Sequence, residues 1–380
     1  DGSRFHMLRN GLSFPRQAVI SPAAHGTEAV PVFGICRTAD EAGFSIISWP
    51  ESSPASSSVP CLLLRTHSGA WHEGLLEQDE EEACRLARET RLPVLTARLA
   101  GGEGPFLLPG ASSAWSAHGI LLKRLRLFER DSAVISPENS TEASSPLPAP
   151  EEQLRHALRK GTADFILKSG HGAACLNLLE SSASLLLAQL LKEELPSLPL
   201  TGFIPRLPGI PEQDTARAQA CADKLGIQAR MLPLPADAPD DLFTAAWLMR
   251  QWTQEEGALL LSALTGTDIM TAPRLLPPAL AADFMPLGDL YETELADLFP
   301  GFLSPAPDAA MRDSLLIRLH RAHESATPLA GLFPESELEI RRWQRRARAS
   351  EWMRRKLPPR LTLRSIPGAP ETPYVHRLTD

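Results

Sequence analysis

The chain has 380 residues, enough for two domains that each bury a core. Its 38 Lys and Arg against 46 Asp and Glu leave a formal charge of −8, which argues against wholesale binding to nucleic acid. Five scattered cysteines (Cys36, Cys61, Cys84, Cys175, Cys221), odd in number and without CxxC spacing, argue against a disulfide frame or a zinc site and for a reducing, cytoplasmic setting.

Before residue 136 short apolar runs alternate with helical patterns. VPVFGIC (30–36), FSIISW (44–49) and LPVLTARLA (92–100) have the branched side chains of strands. Between the last two, EQDEEEACRLARETR (77–91) places Ala83, Leu86 and Ala87 at helical spacing beneath a charged face. WSAHGILLKRLRLF (115–128) reads as a hairpin that turns near His118-Gly119. The segment SPENSTEASSPLPAPEE (136–152), rich in Ser, Pro and Glu, reads as a linker between domains 1–135 and 153–380.

Beyond the linker the order is helix, strand, helix, strand. SSASLLLAQLLKEEL (181–195) is an amphipathic helix, LTGFIP (200–205) a buried strand, QDTARAQACADKLGI (213–227) a helix closed by Gly226, and ARMLPL (229–234) a strand. EEGALLLSALTGTDIM (255–270) reads as a strand followed by a Thr-Gly loop. In AADFMPLGDLYETELADLF (281–299), Asp289 and Glu292 have capping-box spacing, and Leu295, Leu298 and Phe299 supply the apolar stripe of the helix they would start. Residues 335–356 read as one long basic helix. This βα alternation predicts an α/β fold with a doubly wound parallel sheet, whose ligands sit at the carboxyl ends of the strands. No apolar run is long enough to span a membrane and no signal peptide is seen. The start at Asp1 rather than Met is expected of a processed product or a fragment, and the sequon Asn139-Ser140-Thr141 is read as chance.

Several segments, in order, resemble one family. LTGFIPRLPGIPEQDTARAQACADKLGI has the strand, Pro loop, helix and Leu-Gly-Ile order of ATP-pyrophosphatase-type synthetases. PLGDLYETEL is similar to Pro-Leu-x-Asp-x-Tyr-Lys-Thr-x-Val, and ASEWMRRKLPPRLTLRSIPG to Ser-Glu-Tyr-Lys-Arg-x-Gln-x-Pro-Pro, both of NAD(+) synthetase. FGICRTADEAGFSIISWPESSPASS resembles the Gly-x-x-Ile-Cys-Glu-Asp segment of a nitrilase-type glutaminase, and LRNGLSFPR (8–16) and residues 92–131 resemble further stretches of that domain. The chain thus resembles the glutamine-dependent NAD(+) synthetase family, with the C-terminal part of a nitrilase-like α/β sandwich ahead of a Rossmann-like ATP-pyrophosphatase domain.

The resemblance implies glutamine hydrolysis at a Cys thiol, ATP- and Mg²⁺-dependent adenylation of deamido-NAD, and ammonia displacing AMP. Carried onto this chain, it makes Cys36 the nucleophile. Ser182, Ser184, Thr265, Gly266 and Asp268 become nucleotide-binding, and Asp283, Asp289 and Arg354 substrate-binding. Asp268, Asp283 and Asp289 are Mg²⁺ candidates, although caps and loop turns explain Asp equally well. Its partners would be deamido-NAD and glutamine, together with a second copy or a related synthetase.

The sequence departs from the family pattern in a consistent direction. In LESSAS (179–184), read against Ser-Gly-Gly-x-Asp-Ser, only Ser184 matches, and Glu180 and Ser181 replace the glycines. An alternative placement on SGHGAAC (169–175) recovers Gly170 and Gly172. A carboxylate roughly 4 Å from a phosphate costs about 1–4 kcal/mol in water-like to surface dielectrics. Glu292 and Met353 stand where the family has Lys, Arg37 and Thr38 follow Cys36 where it has Glu-Asp, and Glu28 but no Lys precedes Cys36. Two readings follow, a divergent enzyme or a catalytically silent structural or regulatory subunit. A third makes the basic helix, with Arg345, Arg346 and Trp352, a docking surface for an anionic partner. His320 and His323 lack a third metal ligand, and Cys36 at a strand end also fits a buried hydrophobe.

Overall fold

The computed structural model describes residues 34–39, 42–48, 61–67, 69–133, 146–207, 209–234, 242–303, 305, 307–320, 324–335 and 337–364. It divides into two compact units, one of Asp1–Gly101 with Leu108–Pro148, the other of Gly102–Leu107 with Ala149–Asp380.

In chain order the first part holds β1 (Gly34–Ala39), β2 (Ala42–Ser48), β3 (Cys61–His67), α1 (Leu75–Thr90), β4 (Val94–Arg98), β5 (Ala100–Glu103), β6 (Phe106–Pro109), β7 (Ser113–Trp115) and β8 (Leu121–Arg124). A six-stranded sheet runs β1-β2-β3-β4-β7-β8, and β5 pairs with β6. Only β3 and β4 are parallel in that sheet, because α1 carries the chain back between them. Ala83 and Ala87, one helical turn apart, let α1 sit close on Leu63, Val94 and Trp115. The expected hairpin is present, with β7 and β8 antiparallel around a turn in which Gly119 takes φ +74. A Cβ there would lie 3.0 Å from the Cys84 carbonyl, so the turn needs glycine. Beneath α1, Arg65 and Arg98 are both bound to Asp79, at 3.2 and 2.8 Å, and Arg65 also meets Glu82.

The second part holds α2 (Pro150–Lys168), β9 (Ala173–Asn177), α3 (Ser184–Glu194), β10 (Leu200–Pro205), α4 (Glu212–Leu225), β11 (Gln228–Leu232), α5 (Leu242–Glu256) and β12 (Ala258–Leu261). There follow α6 (Gly266–Thr271), a 3₁₀ turn (Pro273–Leu275), α7 (Leu276–Ala279), α8 (Glu292–Leu298), α9 (Ala309–His320), α10 (Ala326–Leu329), α11 (Glu337–Ala349) and α12 (Glu351–Arg354). The sheet is β11-β10-β9-β12, parallel throughout. From β9 the chain steps outward through β10 to β11, then crosses back to place β12 on the other side of β9. The strand order therefore reverses between β9 and β12. Such a reversal leaves a crevice at the carboxyl ends of the two strands. The fold is α/β with a doubly wound parallel sheet in its second unit, as the sequence pattern implies.

Several local expectations need correction. Pro150-Glu151-Glu152, read as the end of the linker, forms the first turn of α2, where Pro and acidic residues suit the unpaired N–H groups. The basic helix is two pieces, broken at Ser350. Asp289 does not cap α8. That helix starts at Glu292, and Glu294 closes onto the Tyr291 N–H at 2.8 Å. Asp289 instead accepts the Leu363 and Arg364 N–H groups, each at 2.7 Å, and ties the chain's final described segment to the Pro-Leu-Gly-Asp loop. Among the described residues no helix is long and apolar enough to cross a membrane.

Candidate functional site

The carboxyl ends of β9 and β12 lead into two loops, 178–183 before α3 and 262–265 before α6. LESSAS thus occupies the strand-to-helix turn at the center of the sheet. The alternative SGHGAAC placement fails because residues 169–172 turn from α2 into the opposite end of β9.

Asn177 ends β9 and accepts the Leu179 N–H at 2.9 Å, which starts the turn. The Ser184 hydroxyl, wholly buried, accepts the Ser181 N–H at 3.0 Å and closes it. Between these points the side chains of the turn reach across the crevice. The Glu180 carboxylate accepts the Ser262 hydroxyl at 2.8 Å and the Ala263 N–H at 2.6 Å. The Ser181 hydroxyl donates to the Ala263 carbonyl at 2.8 Å, so both backbone groups of Ala263 are bound from the neighboring loop. Burial and the nearby Asp268 push the Glu180 carboxyl up to about 7, while the two donors pull it down.

The α6 end is equally self-contained. Thr265 caps the helix, and Asp268 accepts its N–H and hydroxyl, each at 2.9 Å. Burial raises the Asp268 carboxyl above the usual range. The Gly266 N–H donates to the Leu290 carbonyl at 2.7 Å, and a Cβ on Gly266 would come within 3.1 Å of that oxygen. Ser182 donates to Glu292 at 2.8 Å, and Glu292 pairs with Arg312 at 3.0 Å. Asp313, fully buried, binds Thr267, Thr293 and Arg312.

Ser182 and Thr265 lie on the two loops, and Ser184, Gly266 and Asp268 lie in the first turns of the helices that follow them. The remaining candidates serve other contacts. Asp283 pairs with Arg250 at 2.7 Å and accepts the Leu260 N–H at 2.9 Å. Asp289 holds the 363–364 backbone, and Arg354 is buried against the Ala347 carbonyl and the Ser350 hydroxyl. Cys36 lies on β1 opposite Ser45. Glu28, the sequon and His323 lie outside the described residues. The sequence reading missed the bonds of Ser262 and Ala263 to Glu180 and of Asp313 to the two threonines. No local pattern marks them, since the partners lie 82, 83, 46 and 20 residues apart in sequence.

The donor set does not fit Mg²⁺ or a polyphosphate. Both oxygens of Glu180, Glu292 and Asp313 are already bound to donors of the chain. Asp268, Asp283 and Asp289 are separately employed, and among the described residues no group of three or more His, Cys, Asp or Glu could hold a metal. Arg312, the cation at this site, is spent on Glu292 and Asp313. What remains open is a cleft of about 420 Å³ including its mouth, lined mainly by apolar side chains such as Met249, Leu260 and Pro278, with Asn177 and Glu180 as its polar wall.

No family model matches the chain. A glutamine-dependent NAD(+) synthetase of Synechocystis sp. is 27% identical to it over 155 residues, 39% of this chain and 28% of that protein, so the match spans little more than a quarter of that relative's length. Two solved structures share the fold. The glutamine-dependent NAD+ synthetase of Acinetobacter baumannii, in complex with ADP, superposes over 90% of this chain and 83% of its own, with TM-score 0.57 and 14% identity. That of Cytophaga hutchinsonii covers 92% and 84%, with TM-score 0.63 and 11% identity.

Proposed function

We propose that this chain is a catalytically silent member of the glutamine-dependent NAD(+) synthetase family. One observation carries this reading. The strand-to-helix turn where an ATP-pyrophosphatase would receive phosphates is closed by the chain's own Glu180, bound to Ser262 and Ala263. A polyphosphate needs N–H donors and cations there. Here the neighboring groups are Glu180, Asp268 and Glu292, and Arg312 is already paired.

In this proposal residues 1–135 correspond to the C-terminal part of the nitrilase-like glutaminase domain and 153–380 to the synthetase domain. The chain keeps the family scaffold to pair with a second copy or with a motif-complete synthetase as a structural or regulatory subunit. The family reaction would need Cys36 as thiol nucleophile, ATP with Mg²⁺, deamido-NAD and glutamine.

Incubation with ATP, Mg²⁺, deamido-NAD and either glutamine or ammonia is expected to yield no NAD(+). Millimolar ATP or deamido-NAD is expected to leave the melting temperature unchanged, since a ligand at a hundred times its Kd would stabilise by about 2.7 kcal/mol. Turnover above that of a Cys36→Ala, Ser184→Ala double variant, or a saturable thermal shift, would overturn the silent reading.

A further inference from the structure

We propose that the Ser262 hydroxyl and Ala263 N–H form a carboxylate-sized anion site at the switch point of the parallel sheet, and that Glu180 is its built-in occupant. The inference deepens the silent reading and rests on it.

Three observations lead there. The site lies in the β9–β12 crevice, the one place in this sheet where neighboring strands diverge into loops on opposite sides. Its two donors come from one loop and are matched one to each oxygen of a carboxylate from the other, at 2.8 and 2.6 Å. That two-point geometry is the one a free carboxylate would adopt on the same donors. Glu180 also forms part of the cleft wall, so its removal joins the donors to an existing opening rather than to packed core. Burial and the nearby Asp268 raise the proton affinity of the Glu180 carboxyl, and the Ser262 and Ala263 donors are the groups that oppose them, so the two-point contact rather than a favourable local charge holds the carboxylate.

Glu180 therefore acts as an internal plug. It holds the turn before α3 against the turn before α6 and denies the donors to any external anion. With the side chain cut back to a methyl group, the Ala263 N–H loses its acceptor, and a small monocarboxylate becomes the best available substitute.

The test uses the full chain and its Glu180→Ala variant, with formate or acetate as probe against chloride at equal ionic strength. The wild type should melt at the same temperature in formate and chloride. E180A should melt about 2–4 °C lower in chloride and recover at least half of that loss saturably with formate. Adding Ser262→Ala should abolish the recovery. A folded E180A that responds to formate no more than the wild type does overturns the proposal. Hydrogen exchange of the wild-type Ala263 amide gives a second readout that needs no variant. Protection is expected, and exchange at the rate of an open loop amide overturns the plug. Failure here leaves the silent reading to its own assay, because turnover or ATP binding is measured on the wild type and formate recovery on the variant.

Discussion

The Asp313 carboxylate and the Thr267 hydroxyl meet at 2.9 Å, linking α9 to the first turn of α6 across 46 residues. The same carboxylate accepts the Thr293 N–H and hydroxyl, each at 3.0 Å, which fixes the start of α8. Three helices around the candidate site are thereby set by one fully buried acid.

Asp313→Ala should therefore lower stability by about 3–5 kcal/mol, because two hydroxyls, an N–H and part of Arg312 lose their acceptor together. Asp313→Asn, which keeps the shape and one acceptor oxygen, should lose less. Urea denaturation measures both, and an Ala variant within about 0.5 kcal/mol of wild type would contradict the role given to this acid.

Thr265→Ala removes the hydroxyl half of the α6 capping box and should cost about 1 kcal/mol, while Thr265→Ser should be close to neutral. The contrast between the two substitutions is the informative quantity. Equal losses would place the effect on the threonine methyl group rather than on the cap.

The Glu180 carboxyl is held near 7, above its ordinary value of 4.5, mainly by burial, so the protonated form is the one that suits the fold. The stability from this shift is fully present below pH 4.5 and is lost as pH rises through 7. Asp268, also raised by burial, shifts stability in the same direction. Glu180→Gln isolates the first group. The stability of the wild type relative to E180Q should fall between pH 4.5 and 7 by on the order of 2–3 kcal/mol and be flat above pH 8. A constant difference across that range would show that Glu180 titrates normally.

In the first unit, Asp79 is the acid that Arg65 and Arg98 share, and all three are almost wholly buried. Asp79→Ala leaves two buried guanidinium groups short of a partner and should destabilise by about 3–5 kcal/mol. Arg85→Ala, which breaks an exposed helical pair with Glu89, should change stability by less than about 0.5 kcal/mol. Thermal melts of the two variants give the comparison, and equal effects would contradict it.

Much of the architecture is legible in the residues because its signals are local. β10 has the bounds its apolar run implies, α4 ends at Gly226 in the left-handed conformation, and the 115–128 hairpin turns at Gly119. Elements without a strong pattern were missed. α2 buries Gln153, Gly161, Thr162 and Asp164 among Leu154, Leu158 and Ile166, so its apolar stripe is interrupted by polar residues. β9, the second strand from the edge at β12, is Ala-Ala-Cys-Leu-Asn, and small side chains give little strand signal. Gly161 is placed by a long-range contact, since a Cβ there would lie 2.7 Å from Leu361.

The candidate site divides in the same way. Sequence by itself determined the βα alternation, the position of LESSAS ahead of a helix, and the presence of an acid, Glu180, in that turn, because periodicity and residue type are carried by neighbors along the chain. Only the tertiary structure decided where that carboxylate goes. Its partners follow a different strand, and the meeting of β9 with β12 is set by sheet order rather than by any spacing in sequence. The same holds for Asp289, which local spacing assigned to a helix cap and the folded chain gives to the backbone of Leu363 and Arg364. A hydrogen bond depends on distance in space, and the chain's own order does not encode that distance until the sheet has formed.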